Sequence, residues 1–157
     1  MLDLGVYLVS FAQHFIGTPD RVHVSGSLAP TGVDAEAGVL LGYDDGRAAS
    51  VLMSLRGATP GAARIQGTDG WIDVPPRFHH RHRIVLKRRG REPETFIRPP
   101  NGTGYSHELV EVSECIRAGR TESAIMPLDD TLAVQWILSE ACEALGVVHH
   151  EDTTVSV

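Results

Sequence analysis

Four polar residues near the N-terminus have the types and the spacing of a proton-transfer site. Asp3, Tyr7, Ser10 and His14 follow one another at intervals of three or four residues, a pattern that places them on one face of a helix. An aspartate and a tyrosine one helical turn apart are suited to proton transfer. We therefore identify Tyr7 and Asp3 as candidate catalytic residues, with Ser10 and His14 as candidate substrate contacts.

Each of these residues also has a structural interpretation. Tyr7 could pack its ring at a helix–sheet boundary, Asp3 could be a first-turn acid favoured by the helix dipole, and His14 could be a surface residue. An ordinary tyrosine has a pKa near ~10, so Tyr7 needs a nearby cation or a strong hydrogen-bond donor to act near neutrality. The single lysine, Lys87, lies far along the chain.

The helix that carries these residues has a second stripe beside the polar one. Its residues are apolar and follow the same spacing: Leu4, Leu8, Phe11 and Phe15. We expect a helix over residues 3–16 that packs this apolar stripe against a core and turns the polar stripe toward a cleft. Gly17 and Pro19 end it.

A second candidate cluster follows a glycine-rich loop at the start of a later helix. Tyr105, His107 and Glu108 surround Ser106, which is a good N-cap residue. Spare backbone N–H groups at a helix N-terminus suit a hydroxylated or anionic ligand, so these three residues are candidate substrate contacts. Plain helix capping is the competing interpretation.

The pattern along the chain predicts an α+β fold. Alternating apolar residues and turn signals such as Asp44-Asp45-Gly46 predict strands, and two helices follow them. The expected strands cover residues 21–29, 35–43, 47–55, 63–67, 71–74, 83–88 and 94–98, and the later helices cover residues 106–119 and 127–146. We expect one domain over 1–157, an open, mostly antiparallel sheet with helices packed on one face.

The totals exclude several classes of protein. With 14 Lys and Arg against 20 Asp and Glu, we expect no nucleic-acid partner, and no apolar run is long enough to span a membrane. Two cysteines and no signal peptide favour a reduced, cytoplasmic protein. Residues 77–91 hold seven of the basic residues and three histidines. This segment could bind phosphate or nucleic acid, zinc, or an acidic surface of a partner, but we expect a solvated hairpin and no metal site. His149 and His150 lie in the C-terminal tail beside Glu151 and Asp152, where only adventitious metal binding is an alternative.

Several motifs in order resemble the glucose–fructose oxidoreductase / inositol dehydrogenase (Gfo/Idh/MocA) family, in particular its dihydrodiol dehydrogenase-like branch. The N-terminal segment 1–7 is similar to the end of the family's Gly-Gly-Gly-x-Leu-x-Asp-x-Gly-x-Tyr segment. The resemblance continues through residues 67–72, 102–108, 115–119, 126–130 and 144–146. It covers nearly the whole chain and corresponds to the C-terminal domain of the family.

The resemblance implies a function. The chain would be the substrate-binding and oligomerising domain of an NAD(P)-dependent oxidoreductase acting on a sugar, a diol or a similar small molecule. Tyr7 would be the general acid/base while hydride moves to or from the nicotinamide. The open sheet face would form a homo-oligomer, and Val39, Leu41, Val51 and Met53 are candidates to cover the partner subunit.

The resemblance also implies what this chain lacks. The family's Rossmann domain, and the Glu-Lys-Pro motif whose lysine sits beside the tyrosine, have no counterpart here, and no Gly-x-Gly-x-x-Gly loop is present. We therefore expect no dinucleotide binding and no activity by this chain alone.

Three origins of the chain remain alternatives: a fragment, a mis-started gene product and a natural stand-alone module. The alternative function is a dimeric binding or scaffold module without catalysis; a hydroxylated-ligand binder or isomerase has no dedicated motif.

Overall fold

A computed structural model describes residues 1–80, 82–99, 102 and 105–147 of the chain. The helices are α1 (Gly5–Ile16), α2 (Ser106–Arg117) and α3 (Leu128–Leu145), and a short 3₁₀ turn covers Phe78–His80. The strands are β1 (Arg21–Leu28), β2 (Asp34–Gly42), β3 (Ala48–Ser54), β4 (Ala63–Gly67), β5 (Gly70–Val74), β6 (Arg83–Arg88) and β7 (Glu94–Ile97). The chain divides into two compact units. The first comprises residues 1–58 and the chain from residue 122 onward, and the second comprises residues 59–121.

The first unit is an antiparallel sheet in the order β1-β2-β3 with two helices against it. The β2–β3 turn forms where Asp-Gly was expected to form it: Gly46 has a positive φ of 88°, and its N–H donates to the carbonyl of Tyr43 at 3.0 Å. In β2, alternate residues are buried. The helices α1 and α3 pack on each other and against the sheet, so they cover its buried face.

The face of this sheet that we had assigned to a partner subunit is the core face. Val39, Leu41 and Met53 are each at most 4% exposed and belong to the hydrophobic core together with residues of α1 and α3. Val51 packs against the same core. The assignment of these residues to a partner is therefore wrong, because successive strand residues point to opposite faces and the helices occupy this one.

The core face of α1 is also not the stripe that we expected. Its buried residues are Gly5, Val9, Ala12 and Gln13, whereas Leu4 is 37% and Phe15 is 51% exposed. Small residues let the helix approach the sheet: a Cβ on Gly5 would lie 3.1 Å from the Cε atom of Met53. The expected apolar stripe lies on the flank of α1.

The second unit contains an antiparallel sheet in the order β4-β5-β6-β7, and α2. Ile65 pairs with Ile72, and Ile72 pairs with Leu86, so one face of this sheet is apolar. Trp71 pairs with Gln66 and Lys87 on the other face, where polar and charged side chains dominate.

The predicted α+β class is confirmed, and the strands lie within one residue of their expected bounds. The described strands form two antiparallel sheets, and helices α1 and α3 cover one face of the first. The single domain over 1–157 stays a prediction. Residues 148–157, which include His149 and His150, lie outside the described residues.

Candidate functional site

The C-terminal end of α1 is held by the β2–β3 hairpin. The helix ends at Gly17, whose positive φ of 88° suits glycine and whose N–H donates to the carbonyl of Gln13 at 2.9 Å. The hydroxyl of Tyr43 donates to the carbonyl of Gly17 at 2.9 Å, and Nη1 of Arg47 donates to the carbonyl of Ile16 at 2.9 Å. These side chains satisfy carbonyls that a helix end leaves without partners, and they fix the helix in position.

Gln13 sets the rotation of α1 about its axis. It is buried, and its Nε2 atom donates to Oδ1 of Asp130 at 2.8 Å and to the hydroxyl of Thr18 at 3.1 Å. Asp130 belongs to α3, so this contact joins the two helices. The Oε1 atom of Gln13 has no hydrogen-bond partner among the described residues. Gln13 shares the inward side of α1 with Gly5, Val9 and Ala12, so the residues on the opposite side of the helix face outward.

The outward face carries the four predicted residues. Tyr7 is 47% exposed, His14 is exposed and Ser10 is half-buried. Asp3 is exposed and lies in the turn before α1, where Leu4 already has helical backbone angles. The structure therefore brings Asp3, Tyr7, Ser10 and His14 together on one surface, in the order that the spacing predicted.

The apolar flank of α1 borders this polar face. The rings of Phe11 and Phe15 lie 4.8 Å apart, and His14 meets Phe15 edge-on at 4.9 Å. Leu4 and Phe15 are substantially exposed. A row of hydrogen-bonding groups next to exposed apolar surface has the composition of a small-molecule site, and the role of this face stays a prediction.

Tyr105, His107 and Glu108 belong to the second unit. Tyr105 is the N-cap residue of α2 and is 68% exposed, and His107 and Glu108 are exposed in the first turn. The prediction that Ser106 is the N-cap is wrong: the helix begins at Ser106 itself, and no side chain forms a cap hydrogen bond there. The three residues are exposed at the start of α2, and their role stays a prediction.

Lys87, the single lysine, is engaged within the second unit. Its Nζ atom lies 3.7 Å from Oδ2 of Asp73 and 5.4 Å from the centre of the Trp71 ring. Lys87 is therefore held by contacts within its own unit. No group of three His, Cys, Asp or Glu side chains in the described ranges is arranged to hold a metal ion. No helix in the described part of the chain is long and apolar enough to cross a bilayer.

The described residues do not form a dinucleotide site of the Rossmann type. Such a site needs a strand, a glycine loop and a helix that leads to a parallel strand. Every strand pair between residues 21 and 97 is antiparallel, and α1 is followed directly by β1. We therefore derive no cofactor contact from these residues.

Comparison with known proteins places these features in a family. Residues 1–73, which include α1 and the whole first sheet, match the family model of the GFO/IDH/MocA C-terminal domain. Trans-1,2-dihydrobenzene-1,2-diol dehydrogenase of Xenopus tropicalis is 34% identical over 157 residues, covering 95% of this chain and 47% of that protein. The human protein of the same name is 32% identical, covering 97% of this chain and 48% of its own length. The chain thus spans about half the length of these relatives.

Solved structures show the same fold. The aldose-aldose oxidoreductase of Caulobacter crescentus, in complex with glycerol, has a TM-score of 0.74 and 21% identity, covering 91% of this chain and 44% of that chain. UDP-N-acetylglucosamine 3-dehydrogenase of Acidithiobacillus ferrooxidans has a TM-score of 0.76 and 18% identity, covering 92% of this chain and 46% of that chain. From its sequence match and its fold, the chain belongs to the GFO/IDH/MocA family, as a C-terminal domain.

Proposed function

We propose that this chain is the substrate-binding domain of an NAD(P)-dependent oxidoreductase that acts on a hydroxyl or carbonyl group of a sugar, a diol or a similar small molecule. The observation that carries the proposal is the outer face of α1, where Asp3, Tyr7, Ser10 and His14 lie together beside exposed apolar surface. This face lies within the segment that matches the family model. The curated relatives act on a diol by name, which supports the substrate class.

In this proposal Tyr7 moves the proton. As the substrate alcohol is oxidised, its O–H proton passes to the Tyr7 oxygen while the carbon gives up hydride, and the carbonyl forms; reduction runs the same steps backward. The bound nicotinamide supplies the hydride acceptor or donor. Asp3 orients Tyr7 or accepts a hydrogen bond from a second substrate hydroxyl. Ser10 and His14 supply further polar contacts from the same helix. The substrate contacts of Tyr105, His107 and Glu108 stay predictions from the sequence.

The proposal requires two elements from outside these residues. A phenol needs a cation or a strong donor beside it to act near neutral pH, and Lys87 already interacts with Asp73 and Trp71. The described strands also form no Rossmann unit. We propose that a nucleotide-binding domain supplies both the cofactor site and the activating lysine, and that this chain alone is inactive.

We also propose that the chain forms a homo-oligomer through the open face of the first sheet. Leu40 is 48% exposed and Leu52 is 68% exposed. Both line a shallow groove of about 430 Å³ with His23, Ser25 and Ser50. Exposed leucines beside polar side chains on a continuous sheet face are typical of a protein–protein contact.

The experiment that tests the function fuses this chain to the N-terminal half of the Xenopus tropicalis relative. Oxidation of trans-1,2-dihydrobenzene-1,2-diol is followed by the absorbance of the reduced nicotinamide, with NAD and with NADP. We expect activity, and we expect Tyr7→Phe to lower kcat by about 10²- to 10⁴-fold, the range for loss of a positioned acid/base. Nucleotide affinity should not change.

Tyr105→Phe is the comparison variant, since it removes the same hydroxyl from an exposed tyrosine that is a candidate substrate contact and not the candidate acid/base. A substrate contact there would change KM more than kcat. If the Tyr7→Phe fusion keeps the activity of the unaltered fusion, Tyr7 is not the acid/base. If the unaltered fusion binds nucleotide and folds but oxidises no diol or sugar, the binding or scaffold module is the better assignment.

A further inference from the structure

A groove at one end of the second sheet carries hydrogen-bonding groups and positive charge that the proposed function does not use. Its volume is about 350 Å³. The side chains that line it come from β4, from β5 and from the turns at this end of the sheet: Arg64, Gln66, Thr68, Trp71 and Arg89, with Gly67 and Gly70 between them. None of these residues belongs to α1 or is assigned to proton transfer.

Two turns converge to form this groove. The backbone N–H of Arg89, in the β6–β7 turn, donates to the carbonyl of Asp69, in the β4–β5 turn, at 2.9 Å. At Gly70 the strands β5 and β6 approach so closely that a Cβ would lie 1.9 Å from the carbonyl oxygen of Lys87. A side chain at this position would therefore push β5 and β6 apart, and Arg64 and Arg89 line the same groove.

The groove is lined by cations and an indole, without a lining carboxylate. The carboxylate of Asp73 accepts hydrogen bonds from Nε of Arg64 at 2.6 Å and from Nε1 of Trp71 at 3.2 Å, so it orients both side chains. The cations of Arg64 and Lys87 lie 5.6 Å and 5.4 Å from the centre of the Trp71 ring, within cation–π distance.

The electrostatic balance at this end favours an anion. Arg64, Lys87 and Arg89 bring three positive charges against the negative charges of Asp73 and of Asp69 in the neighbouring turn. Asp73 remains ionised at neutral pH: desolvation raises the pKa of its carboxyl, but hydrogen bonds from Arg64 and Trp71 and the charges of Arg64 and Lys87 outweigh it, so the net pKa lies below the ordinary value.

We propose that this groove binds a phosphorylated sugar. Guanidinium groups match phosphate oxygens in a bidentate geometry, and two of them converge here. The amide of Gln66 and the hydroxyl of Thr68 can donate to and accept from ring hydroxyls. Trp71, at 37% exposure, provides an apolar edge for the C–H groups of the ring. A volume of about 350 Å³ is within the range of small-molecule sites.

Calorimetric titration of the purified chain at low ionic strength tests this proposal, because salt screens exposed charges. The probes are glucose 6-phosphate, glucose and inorganic phosphate. We expect glucose 6-phosphate to bind more tightly than either of the others. Arg89→Gln should weaken its binding by about tenfold or more, the effect of losing a charge-assisted hydrogen bond. Arg91→Gln, which removes a charge from the same turn but not from the groove lining, is the matched control and should change the Kd less than twofold.

Thr68→Val separates the sugar from the phosphate, since it removes one hydroxyl and no charge. This variant should weaken the binding of glucose 6-phosphate and leave the binding of inorganic phosphate unchanged. The proposal is overturned if glucose 6-phosphate shows no saturable binding at millimolar concentration, or if Arg89→Gln and Arg91→Gln bind it equally. Equal affinity for glucose 6-phosphate and inorganic phosphate would reduce the groove to a general anion site. Far-UV circular dichroism of each variant checks that the sheet is intact.

Discussion

The hydroxyl of Tyr43 is one of the groups that hold α1 in position. The side chain is 4% exposed and donates to the carbonyl of Gly17. Tyr43→Phe keeps the ring and leaves that carbonyl without its donor. We expect the free energy of unfolding to fall by about 0.5–1.5 kcal/mol, the net value of such a hydrogen bond. For a chain of this size that lowers Tm by about 2–4 °C per kcal/mol.

Tyr105→Phe is the matched control, because Tyr105 is 68% exposed and surface changes of this kind are usually within about 0.5 kcal/mol. Thermal melts of both variants measure the difference. If the two variants melt together, the Tyr43 hydrogen bond contributes nothing measurable to the fold.

The same hydroxyl predicts a pH dependence. Burial raises the pKa of Tyr43 above its ordinary value of 10.0, aided by Asp20 and Asp45 and opposed by Arg47. The folded state therefore holds this proton more tightly than the unfolded state does. The stabilisation from the protonated Tyr43 hydroxyl is present in full below pH 10 and is lost as the pH rises through the pKa of Tyr43 in the folded state. The difference in stability between the wild-type chain and Tyr43→Phe should shrink in that range.

At the scale of the element, α3 offers two leucines that differ only in environment. Leu138 is 2% exposed in the core, and Leu132 is 68% exposed on the other side of the same helix. We expect Leu138→Ala to lower the free energy of unfolding by about 2–5 kcal/mol, since it removes buried surface and leaves a cavity. Leu132→Ala should stay within about 0.5 kcal/mol. Urea denaturation measures both, and similar losses would mean that α3 does not pack on the first sheet through Leu138.

The strands could be predicted from the sequence because their signals are local. Alternation along β2 and the Asp45-Gly46 turn predict a hairpin without any knowledge of the rest of the chain. The buried face could not be predicted in the same way. The alternating positions of Val39 and Leu41 would be the same whether helices or a second subunit covered them. Only the packing of α1 and α3 shows that the helices cover them.

The rotation of α1 was missed for a related reason. The stripe from Leu4 to Phe15 is the more apolar one, but the core accepts Gly5 and Ala12, whose small size allows close approach to the sheet. Periodicity identifies candidate faces; steric fit selects among them. The spacing of Asp3, Tyr7, Ser10 and His14 places them on one side of any helix, and the cleft that we expected beside them is untested. Their chemistry stays a prediction.

At the scale of the whole molecule, the open face of the first sheet predicts association. Leu52→Lys places a charge on that face, and we expect light scattering after size exclusion to change from an oligomer to a monomer, because an unpaired charge in an interface is costly. Leu132→Lys is the control, since Leu132 is also 68% exposed but lies on α3. A wild-type chain that is monomeric at every concentration would contradict the proposed interface.

The β2–β3 turn has a consequence for how this fold can vary. Exposed hairpin tips usually accept inserted residues and fused peptides. Here Tyr43 and Arg47 flank the tip and hold the last carbonyls of α1, while the turn at Gly32 is closed by backbone hydrogen bonds between residues 29 and 33. Lengthening the tip at Asp44–Asp45 would loosen the helix that carries Tyr7 without touching Tyr7 itself. Protein engineers should therefore graft labels at Gly32, and natural variation in loop length should avoid residues 44–46.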